Sequence, residues 1–328
     1  MSRANLLTLL LWLCAFALLT WVLRDLPVAQ MWSALLALSA WQWSLWFLLN
    51  AAVVALSTAR WRVLGNAMAA SYGFMELVLI RLAGQTVSFL TPGPQFGGEP
   101  LQVYWLYKRH TQPLHKAVLS LALDRFFELW VNFAVLLLGA LCLLLSPSMA
   151  FTDWTRVVLI LLALVLALPW LFLRILRSPE RLLTRLQSVF AKWLSHPLIS
   201  KLNAHGENVE SDLRNILKEQ RGALLQAFLF SVLTWGLILA ELAFLLWVLD
   251  IHVSITGFIL LAVAIRLAML MPLPGGIGTI EAALLWCFSM LGLSLEAALA
   301  LIVLMRLRDV VILLAGAASL FLIRRKPA

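Results

Sequence analysis

The chain has 328 residues, of which 63% are hydrophobic and only 12% are charged, and its formal net charge is +9 at pH 7. A composition this apolar excludes a water-soluble globular domain and indicates an integral membrane protein. The basic residues are divided among several separate segments rather than gathered in one groove, which argues against a nucleic-acid-binding protein.

Six apolar runs are long enough to cross the hydrocarbon core of a bilayer, which is about 30 Å thick. The first run follows Arg3 and has no small-residue cleavage site before Pro27, so we expect a retained anchor rather than a cleaved signal peptide. Residues 1–40 would then hold this anchor and an interfacial segment. The six runs lie near residues 6–23, 41–59, 117–145, 155–173, 223–249 and 297–323.

A shorter apolar stretch, broken by proline and glycine, follows the second run and recurs after the fifth. The first stretch covers residues 74–107 and the second covers 255–292. In each, an arginine precedes the break and a glutamate follows it. This duplication predicts two related broken-helix hairpins, because ordinary core helices have no reason to repeat their charges. The residues expected to form the breaks are Pro92, Gly93, Gly97, Gly98, Pro274, Gly275, Gly276 and Gly278.

The distribution of lysine and arginine predicts the orientation. The loop over 108–116, the segment 174–221 and the C-terminal tail are rich in these residues. By the positive-inside rule these parts lie in the cytoplasm, together with the N-terminus and the loop over 60–73. The hairpin 74–107 then enters the membrane from the cytoplasmic face, and the hairpin 255–292 enters from the opposite face.

We therefore predict an all-α integral membrane protein with about six full transmembrane helices and two re-entrant broken-helix hairpins, arranged as an inverted-topology repeat. The whole chain would form one membrane domain, with a first repeat over 41–145 and a second over 223–323. Between them, the polar segment 174–221 has apolar residues at helical spacing with basic residues among them. It is either a plain connector or an amphipathic helix that lies on anionic lipids of the inner leaflet.

Charged side chains inside the apolar elements are the second functional signal. An ionised side chain at the centre of a membrane helix costs roughly 2.5–3.5 kcal/mol, so most of them must pair or face water. Spacings of three favour local pairs between Arg125 and Glu128 and between Arg306 and Asp309. The charged residues in or beside the apolar elements are Arg81, Glu99, Asp124, Arg125, Glu128, Glu241, Arg266, Glu281, Arg306, Arg308 and Asp309.

Two interpretations of these charges remain open. In the first, the pairs only hold the two halves together. In the second, the arginines bind an anionic group, since guanidinium groups suit phosphate and the helix N-termini at the breaks add positive dipole. Glu99 and Glu281 begin the second arm of each hairpin, where they could be helix N-terminal charges, meet a cationic head group or exchange a proton. The candidate substrate-binding residues are Arg81, Glu99, Asp124, Arg125, Glu128, Arg266, Glu281, Arg306 and Asp309.

The runs from Thr91 to Glu99 and from Leu273 to Glu281, with the charged crossings that follow them, resemble the lysylphosphatidylglycerol synthase transmembrane region, a flippase-like family. The resemblance covers about residues 10 to 320. The first break departs from the compact Pro-Gly-Gly-x-Gly of the second by being longer. By this resemblance, family motif positions are held by Arg81, Pro92, Gly98, Glu99, Asp124, Arg125, Arg266, Pro274, Gly275, Gly276, Gly278 and Glu281.

The resemblance implies a multi-pass protein of the bacterial cytoplasmic (inner) membrane that moves a phosphate-bearing lipid, aminoacylated or polyprenyl-linked, between leaflets. Its partners would be that phospholipid or polyprenyl lipid and the anionic lipids of the inner leaflet. No soluble aminoacyl-transfer domain follows residue 323, so we do not expect synthase activity.

Three alternatives use the same residues. The chain could transport a small soluble anion, or act as a membrane-embedded enzyme on lipid phosphate with Glu99, Glu281 or Asp124 as acid/base. It could also be a scaffold in envelope assembly. We expect no cofactor and no metal, since no histidine has an i, i+4 partner and the three cysteines lie far apart. The sequence does not define an oligomeric state.

Overall fold

The computed structural model describes residues 38–91, 97–110, 113–146, 154–177, 206–271 and 273–325. Within these segments the secondary structure is entirely helical, which agrees with the predicted all-α class. The helices are α1 (Ala40–Asn66), α2 (Phe74–Leu90), α3 (Glu99–His110), α4 (Leu114–Leu144), α5 (Trp154–Arg177), α6 (Gly206–Glu219), α7 (Arg221–Val248), α8 (Ile255–Met269), α9 (Thr279–Met290) and α10 (Leu295–Arg325), with a 3₁₀ turn at Pro274–Gly276.

Three of the described helices, α1, α4 and α7, are long and apolar enough to cross a membrane. Helix α5 contains a shorter apolar stretch over Thr155–Leu171, and α8 is apolar but only 15 residues long. Helix α10 has 31 residues and covers the last predicted crossing, with charges in its middle. The predicted anchor over 6–23 lies outside the described residues.

Helix α1 corrects one boundary predicted from the sequence. It starts at a capping box, in which the Ser39 amide donates to Gln42 Oε1 at 2.8 Å, and it runs on to Asn66. The predicted cytoplasmic loop over 60–73 therefore begins too early. Arg60, the first residue of that predicted loop, is a buried helical residue whose charge is met by carboxylates on another helix.

Each predicted broken element contains two helices, and the described residues between them, such as Thr91 and Gly97, are not α-helical. The first is α2 followed by α3, and the second is α8, the 3₁₀ turn and α9. In each case the two arms pack against one another. With 17 and 15 residues, α2 and α8 are shorter than the roughly 20 residues that a full crossing requires. The break residues Pro92 and Gly93 lie outside the described residues.

The helices α1 to α4 and the helices α7 to α10 pack by the same plan. Helix α2 packs on α10, and its counterpart α8 packs on α4. Likewise α3 packs on α4, and α9 packs on α10, while α1 and α7 pack extensively on each other. The two halves are therefore interlocked, and the first arm of each hairpin rests on the last long helix of the other half.

Helix α6 forms most of the described part of the polar segment 174–221. Its apolar residues Leu213 and Ile216 are buried against Leu64 and Leu123, which lie on α1 and α4. Part of the apolar side of this helix is therefore covered by protein, whereas Leu217 is exposed. The amphipathic pattern over residues 181–194 lies outside the described residues.

The two arms of the first hairpin meet at a pair of glycines. The Gly98 amide donates to Ser88 Oγ at 2.9 Å, and a Cβ on Gly98 would overlap the Gly84 carbonyl group. We expect Gly98→Ala to destabilise the protein by roughly 1–3 kcal/mol, because the obstructing atoms belong to the backbone and cannot turn aside. Thermal unfolding in detergent micelles measures the effect.

Gly222→Ala is the matched control, since a Cβ there has no neighbour within 4 Å in the described part of the chain. Its melting temperature should equal or slightly exceed that of the wild type, because alanine favours helix. Equal melting temperatures for Gly98→Ala and wild type would contradict the close approach of α2 and α3.

Candidate functional site

The N-terminus of α3 is tied to α4 by a chain of charges. Glu99 Oε2 accepts from the Gly97 amide at 2.7 Å, while its Oε1 lies 3.3 Å from Arg125 Nε. Arg125 also donates through its NH1 nitrogen to Glu128 Oε2 at 3.0 Å. A guanidinium group therefore joins two carboxylates, one on the hairpin and one on the long helix.

The second half repeats this chain. Glu281 Oε2 accepts from the Gly278 amide at 2.8 Å, and its Oε1 accepts from Arg306 Nε at 2.6 Å. Arg306 donates through NH1 to Asp309 Oδ2 at 2.8 Å. The i, i+3 pairs predicted from the sequence are thus confirmed in both halves. Arg125 and Arg306 each lie eleven residues after the first residue of their 31-residue helices, α4 and α10.

Arg306 also fixes the 3₁₀ turn. It donates to the carbonyl groups of Gly275 and Gly276 at 3.2 and 3.1 Å. Gly275 has φ +58°, and a Cβ there would meet the Phe89 ring of α2, so glycine is required at this point of the turn. Because Arg306 directs four hydrogen bonds to the protein itself, it is better suited to hold the turn than to bind a substrate.

A buried carboxylate lies between two arginines in the first half. Asp124 Oδ1 accepts from Arg60 Nε and Asp124 Oδ2 accepts from Arg81 NH2, both at 2.7 Å. All three side chains are almost completely enclosed. Arg81 also donates to the Ser57 carbonyl group at 2.9 Å. Neutralising Asp124 would leave two buried cations close together.

Arg60 was not among the residues predicted from the sequence. The positive-inside rule assigned it to a loop, whereas the helix stop signal, Gly65-Asn66, comes five residues later. Arg60 donates to Glu128 Oε2 at 3.1 Å and to Ser231 Oγ at 3.2 Å, and it thereby links α1 to α4 and α7.

The second half has a contact that corresponds to this one, but its charged residue is a glutamate instead of an arginine. Glu241 of α7 accepts from Asn50 of α1 at 3.0 Å and from Arg308 at 3.1 Å. Glu241 and Arg60 each lie twenty residues after the first residue of their helices, and Asn50 and Ser231 each lie ten residues after it. The two contacts between α1 and α7 therefore correspond, with an arginine in one half and a glutamate in the other.

Arg266 differs from its counterpart Arg81. Its guanidinium stacks over the Trp235 ring with 4.7 Å to the ring centroid, and its NH1 lies 3.8 Å from Met269 Sδ. No carboxylate of the described residues forms an ion pair with it. The reason lies on α10, where Met305 occupies the position that Asp124 holds on α4, ten residues after the helix start.

A cavity of about 290 Å³ lies between the two halves. Apolar side chains such as Leu270, Ile312 and Leu313 form part of its wall. The described residues include no group of three His, Cys, Asp or Glu side chains that could hold a metal ion. The charged side chains that line the cavity are Arg60, Arg81, Arg125, Glu128, Glu241, Arg266, Arg308 and Asp309.

Five of the nine residues predicted to bind substrate therefore line one cavity: Arg81, Arg125, Glu128, Arg266 and Asp309. Three of the others form an ion pair with a lining residue, namely Asp124, Glu99 and Arg306. Glu281 pairs with Arg306, which does not itself line the cavity. Of the predicted break residues, Gly275 reaches the cavity wall. Arg60, Glu241 and Arg308 complete the charged lining.

Comparisons with known proteins give a consistent result. A family model described as the lysylphosphatidylglycerol synthase TM region matches residues 5–316. A UPF0104 membrane protein of Methanothermobacter thermautotrophicus is 26% identical over 276 residues, which cover 78% of this chain and 77% of that protein. Another match to a UPF0104 membrane protein of this organism is 33% identical over 119 residues, about a third of either chain. No solved structure gives a significant match.

Proposed function

Because the chain belongs to the lysylphosphatidylglycerol synthase transmembrane-region family, we propose that it moves a phosphate-bearing lipid between the leaflets of a bacterial cytoplasmic membrane. The observation that carries this proposal is Arg266, a cation that faces the cavity, rests on Trp235 and has no carboxylate partner among the described residues. An arginine left open in this way is suited to the phosphate group of a lipid.

The proposed topology has about six full crossings and two hairpins that enter from opposite faces, with both termini in the cytoplasm. The corresponding packing of α2 on α10 and of α8 on α4 supports a repeat of this kind. Since α2 and α8 are shorter than the roughly 20 residues of a full crossing, their breaks would lie inside the membrane, where protein groups must satisfy the backbone. The hydrogen bonds from Arg306 to Gly275 and Gly276 fulfil that requirement in the second hairpin.

The size and lining of the cavity indicate which part of the lipid it would hold. At about 290 Å³, the cavity lies at the lower end of ligand pockets and suits a polar head group. The acyl chains would stay in the bilayer, beside the apolar wall at Ile312 and Leu313. Arg266 would hold the phosphate, while the paired arginines around it would offer further N–H donors. This assigns no bond-breaking step to the protein.

A small soluble anion is the second candidate, because a cavity of this size would accept one without any lipid tail. An enzyme acting on lipid phosphate is less well supported. Of the predicted acid/base groups, Asp124 and Glu281 are fully buried and bound to arginines, so neither faces a substrate.

Purified protein in liposomes tests the three functions together. We expect fluorescent, tail-labelled phosphatidylglycerol to become accessible to dithionite from both leaflets, at a rate well above that of protein-free liposomes. The same vesicles should not accumulate radiolabelled phosphate, and mass spectrometry should find the lipid chemically unchanged. Uptake of phosphate without lipid movement would support the anion transporter, and a new lipid product would support the enzyme.

A further inference from the structure

The ion-pair network around the cavity, taken together with Arg266, has no net charge when all of its groups are ionised. The ion pairs that include or adjoin the lining residues join six carboxylates and five arginines. Arg266, which lines the cavity outside these networks, brings the arginines to six. An anionic head group would therefore add a negative charge that the empty site does not balance, at a cost that is high in a low-dielectric environment.

Glu128 is the carboxylate best placed to offset the charge of the head group by taking up a proton. Its side chain is 41% exposed, whereas the other five carboxylates of the networks range from 0% to 22%. Both of its hydrogen bonds, from Arg60 and Arg125, end on Oε2. Oε1 accepts no hydrogen bond from the described residues and can meet water in the cavity. Glu281, in contrast, has both oxygens bonded and is fully buried.

The two arginines that hold Glu128 are themselves part of the cavity wall. Phosphate oxygens accept the same N–H groups as a carboxylate does, so an entering head group competes with Glu128 for Arg60 and Arg125. Once these cations turn to the phosphate, they no longer favour the ionised form of Glu128. The other charged groups that face the cavity with it are Arg81, Glu241, Arg266, Arg308 and Asp309.

We infer that Glu128 is a proton-coupling site: it takes up one proton when an anionic head group binds and releases that proton when the head group leaves. The proton comes from water in the cavity and forms an O–H bond with a carboxylate oxygen, so the charge of Glu128 changes from −1 to 0. The phosphate keeps its single negative charge, and the net charge of the loaded site equals that of the empty site.

This inference rests on the proposed lipid transport, and it identifies a pH gradient as the driving force for that transport. Transport of one anionic head group with one proton is electroneutral and follows a pH gradient. At equilibrium the lipid should accumulate in the leaflet that faces the more alkaline compartment, by about tenfold for each pH unit.

The test uses the full-length protein in phosphatidylcholine liposomes with a trace of tail-labelled phosphatidylglycerol, a phosphate diester of charge −1. A gradient of one pH unit is imposed while potassium and valinomycin hold the membrane potential at zero. Dithionite then measures the label in each leaflet. We expect about a tenfold asymmetry for the wild type and an even distribution for Glu128→Gln, which cannot bind the proton.

Two further variants support the assignment. Glu128→Asp keeps a titratable group and should keep the asymmetry, while Glu296→Gln removes an exposed glutamate of α10 and should behave as wild type. Wild-type protein that moves the lipid but gives an even distribution under the gradient would overturn proton coupling and leave the proposed function standing. Tenfold asymmetry that persists in Glu128→Gln would overturn the role of this residue. Absence of lipid movement in the wild type would overturn the proposed function and this inference with it.

Discussion

Replacing Arg266 by glutamine is expected to abolish lipid transfer without unfolding the protein. The loss of a charged contact to a bound anion costs about 2–5 kcal/mol, which corresponds to a fall of roughly 30-fold to several thousand-fold in affinity. Folding should be affected much less, because Arg266 has no carboxylate partner among the described residues that its removal would leave unpaired. The main structural loss is its stacking on Trp235, worth about 0.5–2 kcal/mol.

Dithionite accessibility of labelled phosphatidylglycerol gives the transfer rate, and thermal unfolding in detergent gives the stability. Arg62→Gln makes the same chemical change at an exposed position of α1 and should leave both measurements unchanged. Arg266→Lys keeps the charge without the planar fork and should retain part of the activity. Normal transfer by Arg266→Gln would show that the phosphate is held elsewhere.

Asp124→Asn is expected to have the largest effect on stability. Asp124 is completely enclosed and accepts hydrogen bonds from Arg60 and Arg81. Its neutralisation removes the carboxylate that both guanidinium groups share, and breaking a buried ion pair in this way costs about 3–5 kcal/mol. Arg60 retains Glu128 at 3.1 Å, but Arg81 is left with the Ser57 carbonyl group and the Trp61 ring. We expect the apparent melting temperature in detergent to fall by about 10 °C.

A second substitution shows whether the cause is the unpaired cation. Adding Arg81→Gln to Asp124→Asn removes the guanidinium that has lost its partner. The double variant should therefore lose less unfolding free energy than the sum of the losses in the two single variants. Asp250→Asn is the control, since that carboxylate is 93% exposed. A melting temperature for Asp124→Asn close to that of the wild type would contradict the buried pairing.

The sequence predicted the local features of the site well. The breaks near Gly98 and Gly275 could be predicted because proline and glycine interrupt helices, and the matching charges beside them predicted that the two elements correspond. Pairs within one helix, such as Arg125 with Glu128, follow from a spacing of three residues. These interactions depend only on neighbours along the chain.

The long-range features could not be obtained in the same way. The partners of Asp124 are Arg60 and Arg81, which lie 64 and 43 residues away. Arg60 was missed because it fell at the start of the predicted loop over 60–73. Arg266 lacks a carboxylate partner because Met305 stands where the first half has Asp124. A methionine in an apolar helix gives no indication of this in the sequence. Only the packing of α8, α9 and α10 reveals that a carboxylate is missing there.

The opposite charges of Arg60 and Glu241 bear on how the two halves associate. Arg60 of α1 contacts Ser231 of α7, and Glu241 of α7 contacts Asn50 of α1, so each contact joins corresponding positions of the two helices. A dimer of the first half would bring two arginines and two asparagines to the axis between the paired helices, and a dimer of the second half would bring two glutamates and two serines. Because either homodimer would place two like charges near the same axis, co-expressed fragments should associate as heterodimers in preference to either homodimer.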